Sequence, residues 1–146
     1  MLMITVIIAA HNSEYTLAAT LSALVPAAID GIVRQVIVVD GGSTDQTATI
    51  ADLAGADVIS GTRRRGGQLA QGAAQARFPW LMFLNADTVL EEGWERSATA
   101  FMRRIDRGER PVGFKIGFTN RSIWERYRVW APIWGTVWEG GVADAD

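Results

Sequence analysis

The sequence predicts an α/β domain: a mostly parallel sheet with helices on both faces. Three observations carry that expectation. The runs at 4–10, 35–39 and 80–84 are almost wholly apolar, the first two rich in β-branched residues, which suits strands buried on both sides. Stretches with apolar residues at helical spacing alternate with them. Each run also stops abruptly at a short polar cluster of turn-forming residues.

The elements follow in order. ITVIIAA at 4–10 is the first strand. Leu17, Leu21 and Leu24 then mark a helix over 15–25, with Ser13 as its N-cap and Glu14 in its first turn. QVIVV at 35–39 is the second strand, ended by DGGSTD at 40–45. Thr44 or Asp45 caps a helix over 46–54. A short third strand at 58–59 leads to a basic, glycine-bearing loop, TRRRGG at 62–67, and an alanine-rich helix over 68–76. WLMFL at 80–84 is the fourth strand, closed by NADT at 85–88. A helix over 91–107 carries Glu at its start and Arg at its end, the polarity the helix dipole favours. A fifth strand is expected over 111–119, with Phe114, Ile116 and Phe118 on one face. With no repeat and no linker, we expect one core over 1–119 and an aromatic-rich C-terminal segment over 120–146.

Composition narrows the function classes. A chain of 146 residues that is 49% hydrophobic can bury a core without staples and is not a disordered tail. The absence of cysteine excludes a disulfide framework, a Cys-ligated zinc or iron–sulfur site and a thiol nucleophile. A formal net charge of −2 argues against a general nucleic-acid binder. The apolar N-terminal run is far shorter than the roughly twenty residues that span a bilayer as a helix. No basic residue precedes it, and the expected location is cytoplasmic. Four of the six tryptophans, Trp124, Trp130, Trp134 and Trp138, crowd the C-terminal segment. Trp130, Trp134 and Trp138 recur at helical spacing, with Pro132 interrupting. Such a stripe reads first as core packing or a homo-oligomer contact. With Arg121, Arg126 and Arg128 alongside, it also suits a membrane surface, and so a peripheral location.

Three polar clusters, HNSE at 11–14, DGGS at 40–43 and NAD at 85–87, each sit just past the carboxyl end of an expected strand. In open parallel sheets those ends converge on one ligand crevice. Asp40 can accept hydrogen bonds from ribose hydroxyls or a base N–H, and Gly41 and Gly42 allow a tight turn and a close approach. The same run also makes an ordinary strand-to-helix turn that needs no ligand. Asp87 can hold Mg²⁺ or Mn²⁺ against a diphosphate, since hard cations take carboxylate oxygen and keep several waters. Its simpler reading is an Asx turn onto Thr88. Arg63, Arg64 and Arg65 precede a helix start and can pair phosphate oxygens, or form a solvated basic loop. His11, the single histidine, lacks an identifiable orienting partner for general-base work. It packs beside a base or is a plain loop residue. A dinucleotide fold is disfavoured, because G-x-G-x-x-G is absent and no glycine follows the first strand.

Taken together, ITVIIAAHNSE, VIVVDGGSTDQT, RRRGGQLAQGA and WLMFLNADT resemble a family 2 glycosyltransferase with the Rossmann-like GT-A fold. VDGGSTD, R-x-x-Q-L-x-x-G-A and L-x-A-D-T are most similar to the small bacterial subgroup called transferase 2, rSAM/selenodomain-associated. The resemblance spans residues 4–119. It implies a nucleoside-diphosphate-sugar donor, a divalent Mg or Mn cation, inversion at the anomeric carbon and an acceptor of unknown identity. By position it implies that Ala9 and His11 border the base, Glu14 lies nearby, Asp40 with Gly41 meets base or ribose, and Arg64 or Arg65 approaches base or phosphate. Asn85 and Asp87 stand at the metal motif.

There are three departures from the family pattern. Ala9 replaces the usual proline, and Asn85 replaces the first acid of the metal motif. The family's acceptor-side base has no matching motif here; Asp144 and Asp146, after Gly140 and Gly141, are the candidates. A non-catalytic nucleotide-sugar- or partner-binding domain is therefore the rival expectation. A nucleotidyltransferase would call for a glycine-rich basic loop after the first strand, which HNSE does not supply.

Overall fold

A computed structural model describes residues 2–109 and the backbone of Phe118–Thr119. Four strands, β1 (Ile4–Ala10), β2 (Val33–Asp40), β3 (Asp57–Ser60) and β4 (Trp80–Asn85), form one sheet in the order β3-β2-β1-β4. All pairings within it are parallel, so the four carboxyl ends share one edge. Register aligns Ala10 with Asp40, Asp40 with Ser60 and Ala9 with Asn85 along that edge. This is the expected α/β architecture.

The core follows from strand alternation. Ile4, Val6 and Ile8 face one side, where α1 (Leu17–Ser22), α2 (Val25–Ile29), α3 (Thr47–Leu53) and α5 (Trp94–Asp106) contribute buried side chains. Ile7, Ile37, Val39 and Phe83 face the other, covered by α4 (Arg65–Ala74) through Leu69 and Ala73. Each fully buried aliphatic side chain contributes on the order of 1.5–3 kcal/mol. Two features of the R-x-x-Q-L-x-x-G-A run seat α4 on the sheet. A Cβ at Gly72 would collide with the Ile7 side chain, so glycine sets the helix-to-sheet distance. Gln68, 3% exposed, donates from Nε2 to the carbonyls of Ala10 (3.0 Å) and Val39 (3.4 Å), fastening α4 to the ends of β1 and β2.

Several sequence expectations are corrected. Ser13 does not cap α1, which starts at Leu17 behind Thr16; the Ser13 hydroxyl donates to the His11 carbonyl instead. Glu14 accordingly lies ahead of the helix. A separate short helix, α2, follows α1, with Pro26 in its first turn. Helix α4 begins at Arg65 rather than 68, taking Gly66 and Gly67 into its first turn. A Cβ at Gly67 would meet Thr62 Oγ1 at 2.7 Å, so tertiary packing outweighs glycine's poor helix propensity there. Helix α5 begins at Trp94 behind Gly93, with Glu95 in its first turn and Arg103 and Arg104 in its last, as the dipole favours. Of the fifth strand, the described part Phe118–Thr119 (β6) pairs antiparallel with β5 (Val89–Leu90) and forms a second sheet. Phe114, Ile116, Asp144, Asp146 and the Trp-rich stretch lie outside the described residues. Trp80 and Trp94, by contrast, are core residues, 3% and 4% exposed. Among the described residues no helix is long and apolar enough to cross a membrane.

The amino-end side of the sheet has its own polar cluster. Buried Gln35 accepts from the Thr5 hydroxyl (3.0 Å) and the Arg77 amide (2.9 Å). It donates to Asp57 (2.9 Å) and the Gln75 carbonyl (3.3 Å). An open cleft of about 650 Å³ lies beside it, lined by Leu21, Val25, Leu53 and Arg77 among others.

Candidate functional site

The three polar clusters do meet at the carboxyl edge, and the hydrogen bonds joining them are specific. At the end of β1 the chain turns through Asn12, a non-glycine residue with φ +46°. Asparagine tolerates that left-handed region better than most residues. Its amide donates to Ser43 Oγ (2.8 Å) and its Oδ1 accepts from the Thr44 amide (2.9 Å). The Ser13 amide donates to Thr47 Oγ1 (2.7 Å), and the Glu14 amide to Asp45 (3.2 Å). In return the Glu14 carboxylate accepts from the Gln46 amide (3.1 Å). The β1–α1 and β2–α3 turns are thereby laced into one surface. Asn12 and Ser43 lie within the polar clusters that the sequence singles out, although without a role of their own there. Thr47 is the residue that the sequence reading misses; no local signal marks it, because its partner Ser13 lies 34 positions away.

The N-cap of α3 is Gln46, which makes no side-chain cap bond, so neither Thr44 nor Asp45 is the expected cap. Asp45, one residue earlier, accepts instead from the amide and the hydroxyl of Thr47, the first residue of α3. Burial pushes its carboxyl up, but the hydrogen bonds from Thr47 and the Glu14 amide outweigh that and hold its pKa below the ordinary value of 3.8.

Asp40 closes the β2 strand and is 9% exposed. Both its oxygens accept from the Ser43 amide (3.2 and 3.3 Å), and Oδ1 also accepts from the Ser43 hydroxyl. The strand-to-helix turn expected from the sequence is therefore present. A carboxylate offers about four lone-pair positions, so Oδ2 keeps capacity for a ligand. Gly42 has φ +82°, and a Cβ on Gly41 would collide with Gln68 Nε2. Glycine at both positions keeps this turn tight and its backbone accessible to a close-lying ligand.

Asp87 is different. It is exposed, and among the described residues its carboxylate makes no hydrogen bond or ion pair. The turn after β4 is closed by backbone alone, Thr88 amide to Asn85 carbonyl at 3.2 Å, so no Asx cap uses the side chain. Asn85 is half-buried, in register with Ala9, also half-buried. Among the described residues no group of three or more acids or histidines forms a cage that could hold a metal on its own. An exposed, uncommitted carboxylate at a crevice fits the other kind of divalent site, in which one or two protein oxygens share the ion with substrate phosphates and water.

The basic loop arrives from β3. Arg64, exposed, stands at the start of α4 with extended backbone. Nε and Nη2 of Arg65 are buried. Arg63 reaches the β1 turn, its Nη2 lying 3.0 Å from His11 Nε2.

An open parallel sheet with polar turns converging on its carboxyl edge defines a ligand-binding α/β protein, with the crevice at the strand ends. The chain belongs to the glycosyl transferase family 2, whose sequence profile matches residues 5–137. No curated protein matches the chain in sequence. Among solved structures it is similar to glucosyl-3-phosphoglycerate synthase from Mycobacterium tuberculosis. One such structure holds Mn²⁺, uridine diphosphate (UDP) and glucosyl-3-phosphoglycerate; others hold Mn²⁺ with UDP-glucose, or Mg²⁺ with UDP. Each shares 29% identity at a TM-score of 0.54, covering 60% of this chain and 34% of the other. The chain thus spans about a third of the length of these relatives.

Proposed function

We propose that this chain binds a nucleoside-diphosphate sugar and a divalent Mg or Mn cation at the carboxyl edge, and acts as a metal-assisted, inverting glycosyltransferase. The observation that carries the reading is the pairing of two unlike carboxylates on one edge. Asp40 is buried and bonded into its turn, whereas Asp87 is exposed and uncommitted. The binding of UDP, UDP-glucose, Mn²⁺ and Mg²⁺ by the similar synthase supports the same reading.

In this account Ala9 and His11 border the base, with Glu14 behind them bracing the β2–α3 turn. Asp40 accepts from ribose or base, and Gly41 lets the donor lie against the backbone. Arg64 or Arg65 adds positive charge on the base side of the donor. Asp87, assisted by Asn85, would hold the cation. When bound, that ion offsets charge on the departing diphosphate. Transfer further requires a carboxylate to take the proton from the acceptor hydroxyl. Asp144 and Asp146, outside the described residues, are the candidates. The cytoplasmic location, and a membrane or subunit contact through the Trp-rich segment, belong to this proposal too.

Incubation of the full chain with UDP-glucose and Mn²⁺ tests it. Metal-dependent release of UDP, faster when an acceptor is added, is the expected result. Metal-dependent UDP binding without any release would make the chain a non-catalytic nucleotide-sugar-binding domain.

A further inference from the structure

We propose that Arg63 is the cation that meets the donor's diphosphate, and that His11 is its positioning residue, parking the guanidinium across the crevice until the anion takes it. The inference rests on the donor-binding reading above.

Arg63 lies in the loop after β3, and His11 one residue past β1. In the order β3-β2-β1-β4 their contact must cross the end of β2, where Asp40 and Gly41 sit. The two side chains therefore span the crevice mouth. His11 Nε2 faces two groups, Arg63 Nη2 at 3.0 Å and Asn12 Nδ2 at 3.4 Å. Both are donors. A guanidinium has no acceptor atom, and the Asn12 carbonyl oxygen is already taken by the Thr44 amide. Nε2 must then carry the lone pair, which places the ring proton on Nδ1 and leaves the ring neutral. Nδ1 is buried with no hydrogen-bond partner, so Nε2 alone fixes how the ring is held.

Arg63 is thus a full positive charge resting on a neutral ring nitrogen. No carboxylate pairs with it among the described residues. A diphosphate is the better partner, because hydrogen bonds between two ionised groups are roughly twice as strong as neutral ones and can be bidentate. The neighbouring arginines suit the task less: Arg65 has its Nε and Nη2 buried, and Arg64, exposed at the helix start, has no hydrogen bond or ion pair among the described residues that aims it. Arrival of the diphosphate exchanges the Arg63–imidazole bond for an Arg63–phosphate bond and frees Nε2.

The single histidine makes the test direct, because every imidazole resonance in a nitrogen-correlated NMR spectrum belongs to His11. The free protein should show the proton on Nδ1. Saturating UDP should shift the Nε2 signal in the wild type and not in Arg63→Ala. Calorimetry should find Arg63→Ala about tenfold or more weaker for UDP but unchanged for uridine, which lacks phosphate. His11→Phe should lose part of the same UDP-specific affinity, and His11→Gln, whose Oε1 can accept where Nε2 does, should restore it. A proton on Nε2 in the free protein, or equal loss of UDP and uridine in Arg63→Ala, overturns the proposal. Unchanged UDP affinity in Arg63→Ala overturns it alone, whereas a wild type that binds no nucleoside diphosphate removes the donor reading as well.

Discussion

The two ends of the sheet are built from similar residues and are satisfied to different degrees. At the amino-end side, Gln35 uses both its carbonyl and its amide twice, and Asp57 and Arg77 pair beside it. At the carboxyl edge the turns are laced just as closely, yet Asp87 has no partner among the described residues, Asp40 keeps an acceptor position and Arg63 rests on a neutral ring. The open cleft of about 650 Å³ lies on the amino-end side, lined by apolar side chains such as Val25 and Leu53. Volume alone would point there. Unspent polar valence points to the other end, and polar groups that converge without being consumed mark a ligand site better than an open groove does.

That contrast can be broken or sharpened. Gln35→Leu should have the largest effect on stability, about 2–4 kcal/mol, since it leaves the buried Thr5 hydroxyl without its partner and breaks three part-buried hydrogen bonds at once. Chemical denaturation reads the loss, and UDP affinity of the folded variant should not change. Asp40→Ala should cost about 1–3 kcal/mol by freeing the Ser43 turn, and should also weaken UDP binding without metal. A loss of UDP affinity seen only with Mn²⁺ would mean that Asp40 is misplaced. Asp45 predicts an acid limb: its folded pKa lies below its unfolded value, so its contribution is complete above the ordinary carboxylate range and is lost as pH falls through the folded value. Asp45→Asn should flatten that limb in urea midpoints measured from pH 5 downward. Arg77→Ala should matter least, under about 1 kcal/mol in a thermal melt, because its ion pair with Asp57 is exposed.

How much of this could be read beforehand depends on where the determining partner sits. The strands were legible because a buried parallel strand is apolar along its whole length, and their carboxyl ends followed from the polar residues that stop them. Asp40 and Asp87 were legible for the same reason. What sets their difference was not: Ser43 bonds one carboxylate, and the turn carrying the other is closed by backbone. The Ser13 cap failed because Thr47, 34 positions away, takes the Ser13 amide while its hydroxyl turns to His11. Helix α2 is only five residues long, and β5 two, too short for any periodicity to show. Which arginine of three reaches the crevice depends on α4 beginning at Arg65, and that depends on packing against Thr62.

The central claim is that the carboxyl edge binds a nucleoside diphosphate together with a metal through Asp87. Calorimetric titration of UDP into the full chain, with and without Mn²⁺, for the wild type and Asp87→Ala, tests it most directly. The account predicts tighter binding with Mn²⁺ in the wild type, at least tenfold for a charge-assisted contact, and no such gain in an Asp87→Ala protein of unchanged thermal stability. An equal Mn²⁺-dependent gain in both proteins would contradict it.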